Sequence, residues 1–328
     1  MADLSTRFFG LDLQSPVIAG SSSLTAKVEH IQKMAAAGAG AIVLKSLFEE
    51  EIHLQYEVEL KDRKELAADP EYLDYFDYVI REKSLKKYLE LVAAAKKAVS
   101  VPIVASINCT TATEWVQFAR KLEEAGADAL ELNLFVIPSD SSRPNGANEQ
   151  FYFDTVKKVL QVVTIPVSVK ISHYFSNLAK VVSDLSQSGV AGITLFNRFY
   201  TPDIDIESEE MTPGEILSTG NEYLLPLRWT AILSPKAACP LAGTSGILKP
   251  ETAIKFLLAG AGAVQLASAI YNYGPQVIST FNQGIARWMD ERGYRNINSF
   301  KGKLSLKSKQ VDAWERAQFM NYFGGFSL

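Results

Sequence analysis

Short apolar runs recur along the chain, and each run ends on a polar residue. One set lies in segments 37–45, 125–133, 188–197 and 259–268, where a glycine follows a helix-like stretch and precedes the run. A glycine suits the left-handed position just past a helix end. A short apolar run bounded in this way suits a buried strand. The repeated pattern therefore predicts helix–strand units.

A second set of apolar runs begins with proline, in segments 16–20, 102–108, 166–172 and 240–246. Proline fits the first residue of a strand, because its missing N–H breaks no ladder hydrogen bond there. Together the two sets predict strands that start near residues 16, 41, 102, 129, 166, 192, 240 and 263. Helix-like stretches separate these strands, at 26–36, 85–99, 112–125, 150–162, 176–188, 222–233 and 250–258.

This alternation predicts an α/β fold of the (β/α)8 TIM barrel type, since continuous apolar strands are typical of closed parallel sheets. A doubly wound open sheet is the alternative, but even alternation favours closure. No low-complexity linker divides the sequence, so we expect a single domain over 1–328, with the barrel at about 16–290. Extended loops are expected after strands 2 and 6. A C-terminal extension at about 303–328 could pack on the barrel or on another subunit.

Composition narrows the classes of function. The 328 residues carry 33 Lys and Arg against 37 Asp and Glu, a formal net charge of −4, which argues against a nucleic-acid partner. No apolar run reaches the ~18 residues of a membrane span, and the N-terminus lacks the plan of a signal peptide. Cys109 and Cys239 make no disulfide framework, and the three histidines show no metal-binding spacing. We therefore expect a cytoplasmic protein with no membrane or metal site.

Polar residues collect where the predicted strands end. Lys45 and Ser46 end strand 2, Asn133 ends strand 4, Lys170 lies in strand 5, and Asn197 ends strand 6. In a barrel, the carboxyl ends of the strands converge on one mouth. Lysine and asparagine inside apolar strands are costly unless they bind something. This set therefore predicts a binding site at the mouth.

Two turns of small residues predict an anion site beside it. Residues 243–246 read Gly-Thr-Ser-Gly and precede a helix, and residues 267–268 end the next strand. Small residues let backbone N–H groups approach an anion at a helix N-terminus. Loops after strands 7 and 8 form the recurrent phosphate site of TIM barrels. The glycine-rich segments 38–40 and 260–262 lie between helix and strand, so they are not dinucleotide-binding motifs.

The order of these pieces over residues 8–304 resembles that of dihydroorotate dehydrogenases, particularly the soluble class 1 type. The matching segments are 19–21, 43–46, 131–133, 169–170, 243–247, 264–270, 274–275 and 299–304. The resemblance implies an FMN-dependent oxidoreductase of pyrimidine biosynthesis that acts on a CH–CH bond and converts dihydroorotate to orotate. It also implies a homodimer and a small carboxylate as the substrate.

The resemblance also implies roles for individual residues. Lys45 is the expected catalytic residue, and it would bind substrate together with Asn133 and Asn197. Lys170 would contact the N1/O2 edge of the flavin. The expected cofactor-binding set is Ala19, Gly20, Ser21, Lys45, Ser46, Asn133, Lys170, Asn197, Gly243, Thr244, Ser245, Gly246, Ala267 and Ser268.

The expected substrate side departs from the family. Val136 stands where the resemblance places the catalytic base, and valine cannot accept a proton. Pro138 stands where the family has a substrate-binding asparagine. The family's loop after strand 2 has no counterpart in residues 64–71. The cofactor half of the site therefore resembles the family more closely than the substrate half.

A replacement for the missing base is expected nearby. Ser139 is the first candidate, with Ser141 or Ser142 as alternatives, provided that a lowered pKa or a proton relay activates the hydroxyl. His173 follows strand 5 and is a further candidate to line the mouth.

Other functions stay open at this point. The substrate could be another small carboxylate or amide, and Lys45, Arg198 or Arg143 could meet its acid group. The chain could instead be a flavin-binding redox partner, whose acidic loop at 203–210 docks a basic protein. A more remote alternative is a lyase that uses Lys170 or Lys45 as a Schiff-base amine.

Overall fold

The computed structural model describes residues 2–49, 51–52, 70–108, 112–199 and 201–306. The chain begins with an antiparallel hairpin of β1 (Thr6–Phe8) and β2 (Leu11–Leu13). Phe8 and Phe9 are fully buried in an apolar cluster with the amino-terminal parts of the barrel strands. Gly192 lets the Phe8 ring approach, because a Cβ there would lie 2.7 Å from a ring carbon. The hairpin therefore plugs one end of the barrel.

Eight parallel strands form a closed barrel. The strands after the hairpin are β3 (Val17–Ala19), β4 (Ile42–Val43), β5 (Leu47–Phe48), β6 (Ile103–Asn108), β7 (Ala129–Asn133), β8 (Val167–Ile171), β9 (Gly192–Leu195), β10 (Pro202–Asp205), β11 (Glu210–Pro213), β12 (Leu241–Gly243) and β13 (Ala263–Leu266). The barrel order is β4-β3-β13-β12-β9-β8-β7-β6, and pairing of β4 with β6 closes the ring. This confirms the predicted TIM barrel and excludes the doubly wound sheet, which would have two open edges.

Helices surround the barrel and bury one face each. They are α1 (Val28–Ala36), α2 (Pro70–Ala98), α3 (Ala112–Glu124), α4 (Ala147–Leu160), α5 (Leu178–Gln187), α6 (Leu224–Leu233), α7 (Pro250–Ala259), α8 (Ser268–Tyr273) and α9 (Val277–Glu291). In α5, for example, Leu178, Val181, Val182 and Leu185 are buried at the spacing of one helical face. Across the described ranges, no helix has both the length and the apolar character needed to cross a membrane.

Two connections differ from the expected plain loops. Helix α2 begins at Pro70 rather than near residue 85, because Pro70 fits the first helical turn and no proline or glycine follows it before residue 98. The connection after strand 6 contains the hairpin β10–β11, whose residues are almost all exposed. Cys109, residues 53–69 and the tail from 307 onward lie outside the described residues.

Candidate active site

A cavity of about 1100 Å³ opens at the carboxyl ends of the barrel strands. The predicted site residues that line it are Ser21, Lys45, Ser46, Asn133, Lys170, Asn197, Thr244, Ser245, Gly246, Ala267 and Ser268. Gln265, Phe196, Tyr271 and the segment 214–219 also line it and were not predicted. The sequence could have indicated Gln265 as a site residue, because it is a polar residue inside an apolar run, as Lys170 is.

Three predicted residues lie behind the cavity wall instead of lining it. Ala19 is fully buried in β3, next to β13. The Gly20 N–H donates to the Leu266 carbonyl at 2.8 Å. A Cβ on Gly243 would lie 2.2 Å from the Phe256 ring, so this glycine lets α7 pack on the barrel. These residues shape the wall through backbone and packing contacts.

The floor of the cavity rests on a buried polar network. Glu131 is fully buried, and its Oε2 accepts hydrogen bonds from Gln265 Nε2 at 2.5 Å and from Thr194 Oγ1 at 3.1 Å. Within the described part of the chain, Asn133 Oδ1 and Gln265 Oε1 are buried acceptors with no partner. A buried acceptor without a donor costs roughly 1–3 kcal/mol. Both atoms belong to residues that line the cavity, so a ligand with N–H donors would fit there.

Lys170 supplies an unpaired cation beside these acceptors. It lies opposite Asn133 in the β7–β8 pairing and lines the cavity. Its Nζ forms no hydrogen bond or ion pair with any residue that the structure describes. A lysine in this position can stabilise negative charge that develops on a ligand.

Ser46 is held by a chain of hydroxyl groups that leads into the core. Its N–H donates to Ser21 Oγ at 2.9 Å, and its Oγ lies 2.6 Å from Ser106 Oγ. The buried Tyr88 hydroxyl donates to the Ser106 carbonyl at 3.0 Å. Burial raises the pKa of Tyr88, so the hydroxyl stays protonated and keeps donating. This chain fixes the wall of the cavity at Ser46.

Lys45, the expected catalytic residue, is already paired. Its Nζ donates to both carboxylate oxygens of Glu51, at 2.9 and 2.6 Å. Both side chains are partly exposed, at 35% for Lys45 and 55% for Glu51. The structure thus places a carboxylate beside Lys45, which lines the cavity, where the sequence had indicated only a lysine.

Asn197 and Arg198 are bound largely by the protein itself. Asn197 Nδ2 donates to the carbonyls of Leu134 and Lys170, at 2.9 and 3.1 Å. Arg198 Nε donates to Glu222 at 2.7 Å, and its terminal nitrogens donate to carbonyls in the segment 215–217. Arg198 lines the cavity, and its donors hold the segment 215–217. That it could meet a substrate carboxylate stays a prediction.

Glu222 completes this clamp. Burial alone would raise the pKa of Glu222, but hydrogen bonds from Arg198 and Thr219 outweigh it and hold the pKa below its usual value. The clamp therefore stays ionised at neutral pH. The segment 214–219 is tied at a second point, because the Ser218 N–H donates to Ser268 Oγ at 2.9 Å.

The turn after β12 has the backbone expected of an anion site. Ser245 and Gly246 have positive φ angles of +70° and +65°. Consecutive residues of this kind can turn their N–H groups to one side, as in anion-binding turns. A Cβ on Gly246 would lie 2.5 Å from the Tyr223 backbone nitrogen, so glycine is needed for the close approach. Thr244, Ala267 and Ser268 line the same end of the cavity.

The candidate bases lie outside this cavity. Ser139 and Ser141 are exposed, and Ser142 Oγ donates to Asp140 at 2.6 Å. Ser141 and Arg143 line a separate cleft of about 820 Å³. The expectation that Arg143 could meet a substrate acid in the main cavity is therefore not met by this arrangement.

An aromatic wall separates the cleft from the cavity. Phe196 lines the cavity, and its ring centre lies 5.6 Å from that of His173, which lines the cleft. Phe135 stacks on Phe199 at 4.1 Å, and Tyr174 contacts Phe199 edge-on. Burial lowers the pKa of His173, so its imidazole is neutral at pH 7. Val136, at the family's base position, packs against the hydrophobic core.

Comparisons with known proteins agree with this geometry. The family model described as dihydroorotate dehydrogenase matches residues 78–289. The chain is 26% identical over 318 residues to the catalytic subunit of dihydroorotate dehydrogenase B (NAD(+)) from Thermoplasma volcanium, covering 92% of this chain and 98% of the relative. It is 25% identical over 325 residues to dihydroorotate dehydrogenase A (fumarate) from Lactococcus lactis, covering 92% and 99%. A putative dihydroorotate dehydrogenase A (fumarate) from Aeropyrum pernix is 28% identical over 217 residues, covering 65% and 71%.

Proposed function

The chain belongs to the dihydroorotate dehydrogenase family, and on that premise we propose that it binds FMN and oxidises the CH–CH bond of a dihydropyrimidine ring. Members of this family are flavin-dependent oxidoreductases that act on CH–CH bonds. Dihydroorotate, for which the relatives are named, is the first substrate to test. The Schiff-base lyase alternative is set aside, because the family's chemistry is redox.

The floor of the cavity carries the proposal. Lys170 Nζ, Asn133 Oδ1 and Gln265 Oε1 have no partner among the described residues, and all three residues line one cavity. A flavin ring would supply an N–H donor at N3 and an edge that becomes negative on reduction, so it would suit this set. The turns at 244–246 and 267–268 lie at the same mouth and suit its phosphate. Held by these residues, FMN would supply a hydride acceptor for the oxidation of the CH–CH bond.

The chain's own residues have distinct tasks in this reaction. As the resemblance implies, Lys170 would offset negative charge that develops on the flavin ring, a preorganised charge of the kind that dominates many enzyme rate enhancements. Lys45, Asn133 and Asn197 orient the substrate, with Asn197 offering its oxygen because both Nδ2 hydrogens are used. Ser46 and Ser21 hold the wall beside the ring.

Oxidation of a CH–CH bond also needs a proton acceptor. Ser139 and Ser141 stay predictions for it, and both lie on the exposed segment beside the aromatic wall. Either hydroxyl would reach the cavity only if this segment folds over the mouth when substrate binds. Mutating each serine to alanine, with Ser142→Ala alongside, tests the role through the rate of flavin reduction.

The proposal is tested by loading the protein with FMN and mixing it anaerobically with dihydroorotate or 5,6-dihydrouracil. We expect stoichiometric FMN binding and loss of the visible flavin absorbance with at least one ring. A protein that takes up no FMN, or a loaded protein whose absorbance neither ring changes, would overturn it.

Assembly is a separate part of the proposal. We propose a homodimer, as the resemblance implies, and light scattering of the purified protein tests it. Two of the relatives above are named for different electron acceptors, NAD(+) and fumarate, and one is named a catalytic subunit.

A second candidate function is redox exchange with a docked protein. The exposed β10–β11 hairpin favours it, because Asp203, Asp205 and Glu210 accompany exposed Ile204 and Met211 there. Replacing these acids with serine should slow electron transfer to a basic partner. A cytoplasmic location stays a prediction.

A further inference from the structure

Two of the three cations that line the cavity are already neutralised. Arg198 is paired with Glu222 at 2.7 Å, and Lys45 is paired with Glu51 at 2.6 Å. Among the described lining residues, Lys170 is the cation left without a partner, and it lies on the floor beside Asn133. The rim of the cavity therefore offers an approaching ligand no unpaired positive charge from the residues that the structure describes.

The position of Glu51 is fixed by its neighbours on both sides. Phe48 lines the cavity and pairs with Asn108 in the β5–β6 ladder. Ile52 is 3% exposed and packs in the core. Glu49 is also buried and lies 3.8 Å from Arg81. Phe48 and Glu49 before Glu51, and Ile52 after it, are thus anchored, and the Glu51 carboxylate accepts a hydrogen bond from Lys45 Nζ at 2.6 Å.

The pair has a defined hydrogen-bonding character. A lysine ammonium can only donate hydrogen bonds, and an ionised carboxylate can only accept them. Together they place a donor and an acceptor side by side next to the cavity that Lys45 lines. That pattern complements the neighbouring C=O and N–H of a cyclic amide. A substrate carboxylate at the same place would lie next to Glu51, and like charges brought together oppose binding.

Resting on the proposed function, we infer that Glu51 is a specificity-determining residue and that the preferred substrate is an uncharged cyclic amide without a carboxylate on its ring. Glu51 acts by keeping Lys45 from serving as a carboxylate receptor. The Lys45 amine remains available to a ring carbonyl. Dihydroorotate has the required ring but carries the carboxylate, whereas 5,6-dihydrouracil has the ring alone.

Paired substrates test the inference on the FMN-loaded protein. Anaerobic stopped-flow absorbance gives kcat/KM for flavin reduction by 5,6-dihydrouracil and by dihydroorotate. We expect 5,6-dihydrouracil to be the better substrate. Glu51→Gln should lower the ratio of the two values by about tenfold or more, the size expected when one charged hydrogen-bonding partner changes. Titration of the flavin spectrum with uracil and with orotate measures binding alone, and the same reversal is expected in Kd.

A matched control separates charge at the rim from charge in general. Glu82→Gln breaks the Lys121–Glu82 pair, which has a distance of 2.8 Å and comparable exposure but lies on the outer helices. Its substrate ratio should equal that of the unmodified protein.

The outcomes distinguish the inference from the function on which it rests. The inference is overturned if dihydroorotate is the preferred substrate, or if Glu51→Gln and the control give the same ratio of kcat/KM values. The proposed function stands in either case. Uracil that binds tightly without any ring reducing the flavin supports the recognition by Glu51 but overturns the redox function. Absence of both binding and reduction overturns the two together.

Discussion

The polar groups on the floor of the cavity, Lys170 and Asn133, differ from those at its rim, Lys45 and Arg198, in whether they have partners. On the floor, Lys170 and Asn133 Oδ1 have no partner among the described residues. At the rim, Lys45 is paired with Glu51, and Arg198 is held by a carboxylate and by backbone carbonyls. Buried groups without partners are costly in the free protein, whereas paired groups are already satisfied. The floor is therefore suited to a resident cofactor, and the rim to selecting what approaches it.

This difference also explains why resemblance to the family is uneven. The residues that would meet an invariant flavin match the family pattern, and they come from strand ends whose positions the barrel fixes. Lys45, Asn133 and Asn197, which would meet the substrate, also come from strand ends, whereas the pattern is lost in the loop segment that carries Val136 and Pro138. Loops tolerate substitution because they carry few packing constraints.

The largest expected effect comes from removing the cation on the floor. Lys170→Met keeps the length of the side chain but removes the charge opposite Asn133. The rate of flavin reduction should fall by about 10²–10³-fold, the usual cost of deleting one preorganised stabilising group. Stopped-flow absorbance measures it. Lys158→Met, on the exposed face of α4, serves as the control and should leave the rate unchanged. Equal rates for both variants would show that the floor is not the reacting surface.

A smaller effect is expected when the clamp on the rim is cut. Arg198→Met removes the contacts to Glu222 and to the carbonyls of 215–217. The covering segment should loosen, and the Kd for FMN should rise by about tenfold, as for loss of one charged hydrogen bond. Quenching of flavin fluorescence on binding gives the Kd. Arg287→Met on α9 is the matched surface change, and a Kd shared by the two variants would argue against the clamp.

The smallest effect concerns the wall between cavity and cleft. Burial holds the pKa of His173 below its ordinary 6.5, so the unfolded chain takes up a proton there more readily than the folded one. The free energy of unfolding is therefore higher above pH 6.5, and it decreases as the pH falls through 6.5 toward the pKa of His173 in the folded protein. His173→Gln should remove that part of the pH dependence of the free energy of unfolding. Urea titrations of both proteins between pH 5 and 8 measure it, and parallel curves would contradict the burial of His173.

Much of the barrel was predictable because its signals are local. A proline or glycine followed by a short apolar run marked every barrel strand, and the structure has strands at each of these places. The hairpin at Thr6–Leu13 was missed, because nothing near Phe8 in the sequence shows that its ring lies against Gly192. That contact joins positions far apart in the chain, and only the closed barrel brings them together.

The polar residues of the site were also predictable from the sequence. Residue type and strand position indicated which polar groups gather at the mouth, and the cavity includes Lys45, Lys170 and Asn197. Sequence could not show which of these groups are already paired. Arg198 finds its partner at Glu222 through the fold of an intervening loop, and its charge alone could not indicate that pairing.

The amino-terminal plug has a consequence for the order of events in turnover. Phe8 and Phe9 fill the end of the barrel opposite the cavity, so a small molecule reaches and leaves the cavity on the side of the mouth and not along the barrel axis. In the proposed reaction, an oxidant that enters on the same side as the substrate would bind only after the first product has left. The plug would thereby separate the two half-reactions in time.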